Sequence, residues 1–299
     1  MSKPLHMRVG SSSIIAGCMK WGRWGANFST GDYDRLIRQC LELGVTAFDH
    51  ADIYGGYTTE EEFGRVLQQW PELRPKLQLI SKCGICLVGP ERRLHRLKHY
   101  DTRASHIRAS VEGSLRKLHT DRLDLLLIHR PDPLMEPEEV AAVLQDLLQE
   151  GKILTAGVSN FSPSQMDLLQ RWLPLRAHQM ELSLCHTDPL FNGVFDRCRL
   201  YDCSIQAWSP LGGLFAGNAN IPDHHRRILE VASHLSQQHE AGIDQILLAW
   251  LMHHPYGLQP VIGTTRLERI QAAIAAEQIV FTRQEWFQML EASRGEEVP

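Results

Sequence analysis

Short apolar runs alternate with longer amphipathic stretches along the whole chain. Eight runs have strand length, at residues 14–18, 45–48, 77–81, 123–128, 153–158, 178–182, 204–208 and 258–262. Several are apolar almost throughout, as strands are when both faces are covered. Helix-like segments lie between and after them, at 34–43, 59–69, 105–118, 138–150, 164–172, 192–201, 226–239, 244–253, 267–276 and 283–292. In the third of these, Ile107, Val111, Leu115 and Leu118 form one stripe. Gly44 and Gly151 sit where C-caps belong, and Ser162-Pro163 supplies an N-cap and first-turn pair.

Eight strand–helix units in 299 residues predict a closed (β/α)8 TIM barrel, with residues 1–299 forming one domain. An open doubly wound sheet is the rival pattern. It usually carries a G-x-G-x-x-G turn between strand and helix, and no such spacing occurs here.

Composition narrows the function. The hydrophobic fraction of 43% excludes a disordered chain, and the net charge of −4 argues against a nucleic-acid partner. Seven scattered cysteines read as reduced thiols. Cys83 and Cys86 form a lone C-x-x-C, with neither a second pair nor a matching histidine pair to make a zinc site. The opening residues lack a signal-peptide core, and no apolar run reaches the ~18 residues of a membrane span, so a cytoplasmic protein is expected.

In a barrel, reactive groups sit where strands end and βα loops begin. Those positions hold Asp49 through Gly55, Lys82, His129, Ser159-Asn160, Gln179, Trp208-Ser209 and Gly263 through Arg266. A tyrosine with a reference pKa of about 10 is a poor acid near neutrality, and a neighbouring ammonium lowers that value. Lys82 is placed to do this for Tyr54, Asp49 to hold Lys82 charged, and His129 to position a substrate oxygen. The set suits proton delivery to an oxygen gaining negative charge, as when a carbonyl accepts hydride. No side chain supplies hydride, so a nicotinamide or flavin is required.

Six motifs lie in order at these strand ends: F-D-x-A-x-x-Y-G at 48–55, S-K at 81–82, L-I-H-R-P-D at 127–132, G-V-S-N-F at 157–161, A-W-S-P-L-G at 207–212 and P-V-I-G-T-T-R at 260–266. Together they make the chain resemble the aldo-keto reductases, and in particular the bacterial NADP-dependent oxidoreductases of that superfamily. The resemblance implies a catalytic tetrad of Asp49, Tyr54, Lys82 and His129, with Tyr54 as general acid reducing small-molecule aldehydes or ketones. It implies NADPH bound across the barrel mouth. Ser159, Asn160 and Gln179 match residues that hold the nicotinamide carboxamide, and Trp208 matches the ring that stacks on the nicotinamide. Ser209, Leu211 and Gly212 match the pyrophosphate loop. Thr264, Thr265, Arg266 and Arg269 match the segment gripping the adenosine 2′-phosphate, and Gly263 before them falls at a cofactor-binding position. Met19 and Asp49 also fall at cofactor-contact positions.

Two features depart from the family. Ala272-Ala273 stands where many relatives place an acid and an Asn against adenine, and the tail after Phe287 lacks the long loop that closes many members over substrate. Regulatory members of the superfamily keep fold and cofactor yet act by partner binding, a role these motifs also allow. Arg92, Arg93, His95, Arg96, Lys98 and His99 read as a solvated basic segment rather than a nucleic-acid surface. The adjacent pairs His224-His225 and His253-His254 are expected to diverge, which disfavours metal ligation.

Overall fold

The computed structural model of the protein describes residues 12–89, 95–217 and 221–298. Arg92 and Arg93, and the opening segment, lie outside the described residues. The eight expected strands are present as β1 (Ile15–Gly17), β2 (Ala47–Asp49), β3 (Gln78–Cys83), β4 (Leu125–Ile128), β5 (Ala156–Ser159), β6 (Ala177–Glu181), β7 (Ser204–Trp208) and β8 (Gln259–Ile262). They close into a ring in the order β1-β8-β7-β6-β5-β4-β3-β2, with every neighbouring pair parallel. This is the (β/α)8 barrel that the alternation predicts.

Strand parity divides the core in two. Ile15, Ala47, Ile80, Leu125, Leu127, Ala177 and Val261 fill the lumen as one buried cluster. Their alternate neighbours, such as Phe48, Leu79, Leu126, Ile128, Val158, Ile205 and Ala207, pack outward against the helices. The same period of two sets what stands at the mouth. Asp49 follows Ala47, Lys82 follows Ile80, His129 follows Leu127, Gln179 follows Ala177 and Gly263 follows Val261, each two residues on. Where β5 enters the ring, only glycine fits: a Cβ on Gly157 would lie 2.3 Å from the Ala177 carbonyl oxygen.

The helices follow the expected stripes, with differences that capping explains. The first, α1 (Thr30–Glu42), starts four residues before the apolar stripe suggests. Ser29 Oγ accepts from the Asp32 amide while the Asp32 carboxylate accepts from the Ser29 amide, satisfying two N-terminal donors at once. Helix Val194–Leu200 starts later than expected, because Gly193 breaks the chain with a left-handed φ of 83°. After β3 the chain forms an unexpected antiparallel hairpin, Ile85–Cys86 paired with His99–Tyr100. Tyr57 anchors it, its hydroxyl accepting from the Leu87 amide at 2.8 Å. Among the described residues, no helix is long and apolar enough to cross a membrane.

Candidate active site

The ends of β2, β3, β4 and β6 bring five buried polar side chains together. Lys82 Nζ uses all three of its protons: on Asp49 Oδ2 at 2.7 Å, on the His50 carbonyl at 2.8 Å and on the Tyr54 hydroxyl at 3.0 Å. The other Asp49 oxygen accepts from Gln179 Nε2 at 2.9 Å, and the same amide donates to Gln206 Oε1 at 2.9 Å. Gln206, on β7, was not singled out from the sequence, although its place two residues before Trp208 puts it on the inward face. Tyr54 is set by a tight turn after β2 that continues through Gly55 at φ 63° and Gly56 at φ 68°. A Cβ on Gly55 would meet Thr59 Oγ1 at 2.5 Å. The His129 ring stands edge-on to Tyr54, with centroids 6.2 Å apart.

Burial and charge act against each other on these groups. Burial pushes the Tyr54 phenol up, and the Lys82 ammonium pulls it back only in part, so the net shift is upward. The sequence-based expectation of a lowered value is thus corrected: the cation is in place, but desolvation outweighs it, and the phenol keeps its proton at neutral pH. Burial drags the Lys82 ammonium down, yet Asp49 and Tyr54 together outweigh it and leave it raised, hence charged. His129 is held well below its ordinary value by burial, then by Lys82, Arg130 and Lys98, so its ring is neutral and keeps one N–H to donate.

Above these groups opens a cavity of about 620 Å³. Met19, Asp49, Tyr54, His129, Ser159, Asn160, Gln179, Trp208, Ser209 and Gly263 all line it, as the strand-end reading expects. Lys82 lies beneath Tyr54 rather than in the wall. The rim also holds Lys20, Trp24, Ile85, Leu87, Lys98 and Arg130, which sequence reasoning missed because they come from loops and the hairpin. Trp208 is fixed by its indole N–H, which donates to Asn160 Oδ1 at 3.0 Å, and the Arg130 guanidinium sits 5.3 Å from its ring centroid. Asn160 Nδ2 donates in turn to Ser159 Oγ at 2.7 Å.

A second cavity, of about 510 Å³, shares Ser209, Pro210 and Gly263 with the first and runs on past Leu211, Gly212, Thr264 and Arg269. Joined through these shared residues, the two form one continuous trough. A Cβ on Gly263 or Gly213 would meet no protein atom within 4 Å, so both glycines leave backbone bare to the trough. Ala273 lines it too, offering a small apolar surface. Arg266 corrects an expectation. Its guanidinium is not a free fork but bonds Glu268 Oε1 at 2.6 Å through Nε, and neither it nor Thr265 lines the trough. Both partners are more than half exposed, so this pairing is weak and easily opened.

The sequence pattern of the Aldo/keto reductase family matches residues 13–294. The chain belongs to the aldo/keto reductase family. Among similar proteins, the oxidoreductase YcsN of Bacillus subtilis is 43% identical over 295 residues, covering 96% of each chain. The 6-dehydroglucose reductase of Agrobacterium fabrum is 40% identical over 291 residues, again covering 96% of each. An aldo/keto reductase from Klebsiella pneumoniae, solved with NADP and acetate, shares the fold at a TM-score of 0.73 and 23% identity, over 93% of this chain and 89% of that one. Aldo/keto reductases are nicotinamide-dependent oxidoreductases acting on small carbonyl compounds and alcohols, and the trough and buried polar cluster fit that chemistry.

Outside the trough, one histidine reading needs revision. His224 and His225 do not diverge: their rings meet edge to face with centroids 4.4 Å apart. His95 and His99 are in ring contact, at 5.0 Å, within a segment whose Arg96, Lys98 and His99 are exposed, as the solvated reading expects.

Proposed function

We propose that this aldo/keto reductase reduces aldehyde or ketone carbonyls to alcohols with NADPH, and that Tyr54 delivers the proton. The observation that carries the reading is Lys82 Nζ, 3.0 Å from the Tyr54 hydroxyl and 2.7 Å from Asp49, at the floor of the cavity. A bound nicotinamide supplies the hydride. Ser159, Asn160 and Gln179 would hold its carboxamide, Trp208 its ring, Ser209, Leu211 and Gly212 its pyrophosphate, and Arg269, with Arg266 once released from Glu268, its 2′-phosphate. As the carbonyl oxygen gains negative charge, it takes the phenolic proton from Tyr54. The phenolate left behind is stabilised by the Lys82 ammonium, which Asp49 keeps charged. Neutral His129 donates its N–H to the same oxygen and fixes its position.

The rim cations Lys20, Lys98 and Arg130 beside Trp24 favour polar, hydroxylated or anionic carbonyls. The 40%-identical 6-dehydroglucose reductase makes sugar-derived aldehydes the first to test. The experiment is NADPH oxidation with sugar aldehydes, aromatic aldehydes and dicarbonyls, run beside Tyr54→Phe. The variant is expected to bind NADPH normally and to lose about 10²–10⁴-fold in turnover. Turnover on no substrate despite tight NADPH binding would replace this reading with a partner-binding role. Full activity in Tyr54→Phe would move the proton donor elsewhere.

A further inference from the structure

The hairpin that walls the substrate cavity brings together a second set of donor groups. Cys86 and His99 face each other across it in register. The Cys86 sulfur and one ring nitrogen each of His95 and His99 lie within 4.8 Å of one another. Each histidine is oriented by the backbone: His95 Nδ1 lies 3.0 Å from the Leu87 carbonyl and His99 Nδ1 3.0 Å from the Leu97 carbonyl. A proton on Nδ1 given to a carbonyl leaves the lone pair on Nε2, the state in which histidine binds a metal. A fourth donor approaches from helix Ala104–Lys117. His106 Nε2 is 3.8 Å from Cys86 Sγ, and its Nδ1 faces Asp101 Oδ2 at 3.9 Å.

We propose that Cys86, His95 and His99, with His106 completing the set, form a structural site for a thiolate- and imidazole-preferring divalent cation, zinc above all. One sulfur and three nitrogens suit tetrahedral zinc, with bonds of about 2.3 Å to sulfur and about 2.0–2.1 Å to nitrogen. Such bonds set ligand atoms roughly 3.5 Å apart, so Cys86, His95 and His99 draw in by up to about 1.3 Å on binding, and His106, close to Cys86 but outside that trio, swings in to complete the set. Binding expels the Cys86 thiol proton to solvent and involves no redox step. The cationic neighbours Arg96, Lys98 and Arg103 weigh against a cation, but Arg103 is engaged with Asp101 at 2.6 Å and the thiolate adds a negative charge to the site. The consequence is local: the metal clips the strand carrying Ile85 to the return strand beside Lys98, fixing one wall of the cavity.

The test is cobalt titration of the full-length protein after chelator treatment. One equivalent of Co²⁺ is expected to give a thiolate-to-cobalt charge-transfer band with visible absorption of tetrahedral intensity, and Zn²⁺ to abolish both. Cys86→Ser should lose the charge-transfer band. His99→Ala, a change at an exposed side chain that leaves the fold intact, should weaken Co²⁺ binding by at least about tenfold. Cys185→Ser, which alters the other cysteine–histidine cluster with His224 and His225, should leave the titration unchanged. No charge-transfer band in the parent protein, undiminished binding in His99→Ala, or loss confined to Cys185→Ser would each overturn the proposal.

Discussion

Replacing Asp49 with Asn separates the energetic role of the buried ion pair from its chemical role. The pair is 1% and 3% exposed at Lys82 and Asp49, with 2.7 Å between charged atoms. Removing one partner of such a pair strands the other charge and costs about 3–5 kcal/mol. Asp49→Asn and Lys82→Met should each lose that much, so independent effects would total roughly 6–10 kcal/mol. Asp49→Asn/Lys82→Met leaves no charge to strand, and its cost should stay below about 4 kcal/mol. A pH signature accompanies this. Burial is the largest influence on Lys82 and lowers it, while Asp49, then Tyr54, raise it; without Asp49, burial outweighs Tyr54 and the folded-state value drops below the unfolded one. A lowered ammonium costs stability at low pH and returns it as pH rises towards the unfolded value. Asp49→Asn should therefore regain stability relative to the parent as pH rises from 7 to 9, by no more than about 1.4 kcal/mol per pH unit. Urea denaturation followed by tryptophan fluorescence reads all four proteins, and all three variants should lack carbonyl reduction. A double variant as unstable as the sum of the singles, with no pH recovery in Asp49→Asn, would refute the account of a strongly coupled, desolvated pair.

Three further outcomes are open to measurement. His50 is fully buried, neither ring nitrogen has a hydrogen-bond partner among the described residues, and burial, then Lys82, pushes it down to about 3. Its contribution is complete above the unfolded value near 6.5 and drains away as pH falls towards 3. His50→Leu should thus spare about 2–3 kcal/mol of the loss between pH 7 and 4.5, and equal acid sensitivity in both proteins would contradict it. Arg266→Ala should remove most of a preference for NADPH over NADH of at least about tenfold, or about 1.4 kcal/mol, whereas Glu268→Gln, by freeing the guanidinium, should strengthen NADPH binding about two- to fivefold; fluorescence titration of both nucleotides decides. Gly157→Ala forces a Cβ against backbone that cannot swing aside, and should cost at least about 1–3 kcal/mol in urea denaturation without altering cofactor affinity in the protein that remains folded.

The barrel was legible because eight near-continuous apolar runs recur with helical stripes between them, and the site because polar residues interrupt those runs at one end. Asp49, Lys82, His129 and Gln179 are visible in the sequence for the same reason: each follows a lumen residue by two. Gln206 shares that inward face and went unread, because nothing reactive marks an amide inside a strand. The hairpin Ile85–Cys86/His99–Tyr100 was not legible, since two-residue strands carry no period and their pairing bridges twelve intervening residues. The state of Tyr54 was misjudged because a sequence shows which charges are near but not how much water has been removed. The engagement of Arg266 by Glu268 depends on side-chain direction at a helix start, which spacing alone does not set.

The alternation along each strand acts as a reading frame for the whole molecule. Insert or delete one residue within β3, and Lys82 exchanges places with Ser81 or Cys83, while Ile80 leaves the lumen for the helix layer. The damage is total at both ends, as in a shifted codon frame. Two residues added together restore the phase, and so does any change in the loops beyond the strand ends. Length variation should therefore be tolerated in the loops or in pairs of strand residues, and lethal singly within the ring. The mouth can be remodelled for new substrates while the frame beneath it is held fixed.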